Sequence, residues 1–116
     1  MPDVKGLVLG QMRSGQAIIE MLTRDLAEVE YFKAPVEGAN HIGWVLGHIA
    51  CTEERIVAAM TEASQRMPRA MHELFQSGSV CVGDASKYPT RSEIDDLFLA
   101  GRAATLEALE AFDLAK

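Results

Sequence analysis

The sequence predicts an all-α protein: an antiparallel up-down helical bundle with three long helices and one short connecting helix. Three observations predict this class. Apolar residues recur at the helical period of 3.6 in three long segments. A capping-box motif marks the start of the last segment. The one apolar stretch that could be extended, VCV at residues 80–82, is too short and isolated to form a sheet. With 116 residues, the chain is expected to form a single domain over residues 1–116.

The first long helix is predicted over residues 3–32. Pro2 and Asp3 are typical of a helix start, and the KAPVEGA segment, with Pro35 and Gly38, ends the pattern. The apolar residues of this helix share one broad face. They are Leu7, Val8, Met12, Ile18, Ile19, Met21, Leu22, Leu26, Val29 and Phe32.

A second long helix is predicted over residues 41–62, with Asn40 as its N-cap. Small residues at positions 43, 47 and 50 make a face that another backbone could approach closely. A short helix follows over residues 68–76, with Pro68 in its first turn. The core-facing residues of the second helix are Ile42, Val45, Leu46, Ile49, Ile56 and Met60.

The third long helix is predicted over residues 91–113. Thr90 and Glu93 form the T-x-x-E capping box directly before the apolar pattern. Leu99 and Leu106 lie off the main apolar face of this helix. That face consists of Ile94, Leu97, Phe98, Gly101, Ala104, Ala108, Leu109 and Phe112.

Composition excludes several function classes. The formal net charge is −6, from 11 Lys and Arg against 17 Asp and Glu, which argues against the basic surface that nucleic-acid binding requires. No apolar run approaches the ~20 residues of a membrane span, and the N-terminus has no signal-peptide layout. A cytoplasmic location is therefore expected. Cys51 and Cys81 are expected to stay reduced there, and they do not form a C-x-x-C motif.

The segment ANHIGWVLGHIACTEER contains the residues of greatest chemical interest. His41 and His48 lie about 10 Å apart along the helix axis, which is too far to share one zinc ion. Cys51, one turn after His48, can face the same ion. Without a metal, His48 is interpreted as a core-edge residue that makes one hydrogen bond, and His41 and His72 as surface residues. Trp44 is interpreted as a core residue or as a pocket wall beside His48.

Asp25 falls on the apolar face of the first predicted helix, where a buried carboxylate requires a partner. Pairing with an arginine and orientation of a histidine are both open. The favoured interpretation places Asp25 at the edge of that face, paired with an arginine.

NHIGWVLGHIACTEERI resembles the second helix of the DinB-like superfamily, the four-helix metalloproteins that include thiol-dependent S-transferases and maleylpyruvate isomerases. MHELFQSGS and YPTRSEIDDLFLAGRAATLEAL follow in the order of that family, so the resemblance covers nearly the whole chain. It implies a divalent metal, zinc or nickel, held by three histidines, of which one corresponds to His48. The other two belong to an H-x-x-x-H pair on a fourth helix. Neither that pair nor that helix is found in this sequence.

Two hypotheses follow. In the first, the protein is a DinB-like metal-binding enzyme, or the remnant of one, of the thiol-dependent transferase or isomerase type, with an incomplete histidine site and a small thiol substrate. The metal would then act as a Lewis acid. In the second, it is a non-catalytic helical module that has lost its metal site and self-associates.

A homodimer is predicted under both hypotheses, because three helices leave faces uncovered that a fourth would bury. Leu99, Leu106 and the first helix from Leu7 round to Met12 are the candidate contacts. Such a pairing could bring two copies of His48, or His48 and His72, into one site.

Overall fold

The computed structural model describes residues 3–62 and 67–112. Within these ranges the chain is all-α and contains no strand, which confirms the predicted fold class. A 3-10 turn, Ala85–Lys87, precedes the last helix. The α-helices are α1 (Val4–Thr23), α2 (Glu28–Tyr31), α3 (Ile42–Thr61), α4 (Arg69–Phe75) and α5 (Arg91–Ala111).

The prediction of one continuous first helix over residues 3–32 is wrong, because α1 ends at Thr23 and a separate single turn, α2, follows. The physical reason lies far away in the sequence. The guanidinium of Arg91 donates hydrogen bonds to the backbone carbonyls of Thr23 and Leu26. The carbonyl of Thr23, the last residue of α1, also accepts from the backbone N–H of Leu26. Arg91 therefore stabilises the turn that follows α1 in place of a further turn of helix.

The central helix pair is α3 with α5; α4 packs on α3, and α1 packs on α5. The small-residue face of α3 makes these contacts close. A Cβ added to Gly47 would lie 2.4 Å from the ring of Phe75, and one added to Gly101 would lie 3.8 Å from the Cα of Ala50. The end of α4 thus packs closely against Gly47, and the backbone of α5 packs closely against Ala50.

Aromatic side chains make up most of the buried core cluster. Tyr31 is fully buried and donates its hydroxyl hydrogen to Asp95 over 2.8 Å; burial raises the pKa of Tyr31 well above its usual range. The predicted Thr90–Glu93 capping box is confirmed at the start of α5. The buried core cluster comprises Tyr31, Phe32, Trp44, Leu46, Cys51, Phe75, Tyr88, Ile94 and Phe98.

Helix α1 turns its broader apolar face away from the bundle. At 100° per residue, six apolar residues fall on one side of the helix, whereas the buried Leu9 falls on the opposite side. The exposed fractions of these six apolar side chains range from 38% to 66%. We refer to this surface as the α1 stripe: Val4, Leu7, Val8, Ile18, Met21 and Leu22.

Among the described residues, no helix has the length and hydropathy needed to cross a membrane.

Candidate functional site

His48 lies in the first half of α3, partly buried against the end of α4. Its Nδ1 is 2.7 Å from the carbonyl oxygen of Phe75. Because a carbonyl can only accept, Nδ1 carries the proton and donates, and Nε2 of the neutral ring keeps its lone pair. No described residue forms a hydrogen bond with Nε2. The carbonyl of Phe75 therefore fixes the tautomer of His48 and leaves Nε2 as the nitrogen available to a further partner.

Trp44 holds the other side of the His48 ring. The two rings are stacked, with centroids 4.8 Å apart and planes 8° from parallel. The indole N–H donates to Oγ of Ser79 over 2.9 Å, and that hydroxyl donates to the carbonyl of Leu74 over 3.0 Å. Trp44 is 7% exposed, so it is both a core residue and the wall beside His48, the two roles that the sequence left open.

The interpretation of His41 as a surface residue is wrong, since it is 1% exposed. The N-cap of α3 is His41 rather than Asn40: Nδ1 accepts from the backbone N–H of Trp44 over 3.0 Å. The proton is then on Nε2, which donates to the carbonyl of Val82 over 2.8 Å. Both nitrogens are occupied, so His41 is a structural residue.

His72 is also buried, at 7% exposure, which contradicts its interpretation as a surface residue. Its Nε2 is 2.9 Å from Oε1 of Glu54. Both carboxylate oxygens of Glu54 accept from the backbone N–H of Met67, over 3.0 and 3.2 Å. Nδ1 of His72 is buried, with no hydrogen-bond partner among the described residues. Sequence reasoning missed this pair, because no local pattern links residues 54 and 72.

Cys51 does not complete a site with His48. The thiol is 2% exposed, and its sulfur lies 3.8 Å from both Sδ of Met67 and the carbonyl oxygen of Met71. Burial, helped by the charge of Glu54, raises the pKa of Cys51 to about 11. The thiol is therefore protonated at neutral pH, whereas metals bind the thiolate.

Asp25 lies exposed in the turn after α1. Neither the predicted arginine partner nor any other ion pair to Asp25 is found in the described ranges.

The residues of one chain do not fit the metal centre that the family resemblance implies. In the described part of the chain, no group of three His, Cys, Asp or Glu side chains is placed to hold a metal ion. Catalytic zinc sites take three protein ligands. His48 offers one, while His41 has both nitrogens bonded within the fold and Cys51 is protonated. Two imidazole nitrogens thus have no hydrogen-bond partner among the described residues: Nε2 of His48 and the buried Nδ1 of His72.

A buried ion pair that the sequence did not reveal joins α3 to α5. Nε of Arg102 is 2.7 Å from Oε1 of Glu53, and Nη1 donates to the carbonyl of Met12 in α1 over 2.8 Å. Oε2 of Glu53 is buried and has no hydrogen-bond partner among the described residues. Burial raises the pKa of Glu53 despite the opposing effect of Arg102.

A groove with a volume of about 650 Å³ runs between α3, α5 and the start of α4. Its lining is mostly apolar. The polar side chains are Glu54, already positioned by His72 and Met67, and Glu107. We refer to this feature as the α3–α5 groove.

The family model described as the DinB superfamily matches residues 11–116 of the chain. The chain has no match among the curated proteins or the solved structures.

Proposed function

The chain belongs to the DinB superfamily, and from this premise we propose that it is a helical module that self-associates through helix α1. The α1 stripe is the observation that carries this proposal. Full burial of a large apolar side chain removes roughly 60–120 Å² from water. Six half-exposed side chains therefore leave roughly 300 Å² of apolar surface, and two copies would bury ~600 Å² of it. This approaches the ~700 Å² apolar share of the smallest specific interfaces.

The spacing of the stripe suits a second copy of the same chain. Val4 and Leu22 are equally distant from Arg13 along α1, as are Val8 and Ile18. In an antiparallel pair with a two-fold axis near Arg13, the apolar cluster at each end of α1 would pack against the opposite cluster of its partner. Such a contact is closed and self-complementary.

The middle of α1 and its charged ends also favour this pairing. A Cβ added to Gly15, which lies on the same side of α1 as the stripe, would meet no atom within 4 Å, so this position leaves room for a second helix at the crossing. Asp3 and Arg24 lie exposed at opposite ends of α1. Antiparallel pairing would bring Asp3 of one copy towards Arg24 of the other, whereas parallel pairing would bring like charges together.

Sedimentation equilibrium over a micromolar concentration range tests the proposal. The wild-type protein is expected to sediment as a dimer of the 12.7 kDa chain. Leu7→Glu combined with Leu22→Glu should shift it to monomer. Ala17→Glu is a matched control, because Ala17 is exposed on α1 outside the stripe. A concentration-independent monomer in the wild type would contradict the proposal.

Leu99 and Leu106 provide a second arm of the experiment. Leu99 is 38% exposed and Leu106 is partly buried. If Leu99→Glu with Leu106→Glu dissociates the dimer and the α1 variant does not, the contact lies on α5. This result would contradict the proposed pairing through α1.

A second candidate function is metal binding by an assembled site, favoured by the open Nε2 of His48. A zinc or nickel ion would require further ligands from outside the described residues of one chain, such as His48 or His72 of a second copy. Activity on a small thiol substrate, of the transferase or isomerase type, depends on such a site. Calorimetry with nickel, together with Trp44 fluorescence, tests it. Nickel bound at His48 should quench the stacked indole, and His48→Ala should abolish both signals. Equal nickel binding by the two proteins would exclude His48 as a ligand.

A further inference from the structure

We propose that the α3–α5 groove binds a small hydrophobic amine, with the carboxylate of Glu54 as the partner of its ammonium group. The groove, at about 650 Å³, has the volume of small-molecule sites, which are apolar with a few fixed polar groups. Its charged lining residues are both acidic, Glu54 and Glu107, and no basic residue lines it in the described part of the chain. The charged residues among the described lining therefore favour a cation over an anion.

Glu54 has one acceptor position left for a ligand. Its Oε1 accepts from His72 and from the backbone N–H of Met67, and Oε2 accepts from the same N–H. A carboxylate offers about four acceptor positions, so the unused one is on Oε2. These contacts hold the carboxylate in a single orientation before any ligand binds, which reduces the entropy lost on binding.

The rest of the groove suits the apolar body of such an amine. Small residues of α5, Ala100 and Ala104, leave the space open, and Met67 and Met71 form the wall contributed by the chain around the start of α4. Thioether side chains adapt to irregular ligands and make favourable contacts with aromatic rings.

A small cation fits this groove better than the α1 stripe of a second copy does. The stripe consists of apolar side chains alone, so it would cover Glu54 without providing a donor to its oxygen. Burying a carboxylate in this way is unfavourable. The proposal is thus independent of the self-association through α1.

Calorimetry at pH 7 with 4-phenylbutylammonium chloride tests the proposal, with the neutral 4-phenylbutan-1-ol as the matched ligand. The amine should bind at least about 10-fold more tightly than the alcohol, as expected for a charge-assisted hydrogen bond. Glu54→Gln should remove this preference, whereas Glu107→Gln at the other acid should reduce it much less. Equal affinities of the two ligands for the wild type, or binding of neither, would overturn the proposal.

Ala104→Trp tests the location without changing any charge. Ala104 is exposed on α5, so the larger ring can fill the groove while far-UV circular dichroism confirms the fold; this variant also decides the question if Glu54→Gln does not fold. Binding of both ligands should fall at least about 10-fold. Unchanged binding would place the amine elsewhere. If the amine binds only in dilute protein, a second copy of the chain occupies the groove at higher concentration. This outcome also overturns the proposal.

Discussion

The imidazole of His48 lies flat against the indole of Trp44, with ring centroids 4.8 Å apart and planes 8° from parallel. One turn of α3 separates the two residues, and each ring is held from outside the helix: His48 by the carbonyl of Phe75, and Trp44 by the hydroxyl of Ser79. The pair therefore ties α3 to the end of α4 and to the loop that follows.

Replacing His48 by alanine should lower the free energy of unfolding by about 1–3 kcal/mol, because the carbonyl of Phe75 loses its donor and the indole loses its stacked ring. Urea denaturation followed by the emission of Trp44, the one tryptophan in the chain, measures this. His48→Asn, which keeps an N–H donor near the position of Nδ1, should recover part of the loss. If alanine and wild type unfold at the same urea concentration, the hydrogen bond contributes nothing.

Removing one partner of the buried Glu53–Arg102 pair should destabilise the fold more than removing both partners. Glu53→Met leaves the guanidinium of Arg102 buried without its counter-charge and should destabilise the fold by about 3–5 kcal/mol. Adding Arg102→Met should restore much of that loss, because two well-packed apolar side chains replace a pair that is expensive to desolvate. A double-mutant cycle by chemical denaturation measures the coupling. Additive effects would contradict a direct interaction.

Glu53 should also give the stability a measurable pH dependence. Burial raises its pKa in the folded state above the unfolded value of ~4.3, so the folded protein takes up this proton first as the pH falls. The contribution of Glu53 is then most favourable below the unfolded pKa and is lost as the pH rises through the folded pKa. Relative to Glu53→Gln, the wild type should gain stability from pH 7 to pH 4. A relative loss would mean that Arg102 outweighs burial.

The two cysteines should differ in reactivity. Cys51 is buried, with its pKa raised to about 11, whereas Cys81 is partly exposed. Since the thiolate is the nucleophile, iodoacetamide at pH 8 should alkylate Cys81 and leave Cys51 unmodified in the folded protein. Mass spectrometry of digested protein locates the label. Cys81→Ser should then react with iodoacetamide only after denaturation, and rapid labelling of Cys51 in that variant would contradict its burial.

Local signals in the sequence were enough to predict the all-α class and three of the four helices, α3, α4 and α5, to within one or two residues of their bounds. These features depend on local signals. Apolar periodicity needs only one face to be buried, and the Thr90–Glu93 capping box satisfies backbone groups within one turn. The exposed apolar surface of α1 was also predicted in part, from a face wider than one neighbouring helix can cover.

The tertiary structure alone decided where α1 ends, which histidines are buried, and which acid pairs with which base. Arg91 stabilises the end of α1 from the start of α5, His41 binds the carbonyl of Val82, and Arg102 pairs with Glu53. A buried polar group must find a hydrogen-bond partner wherever the fold brings one. Because these partners lie tens of residues away in the chain, no local spacing can reveal them, and the surroundings of each of these side chains emerge only once the helices are packed.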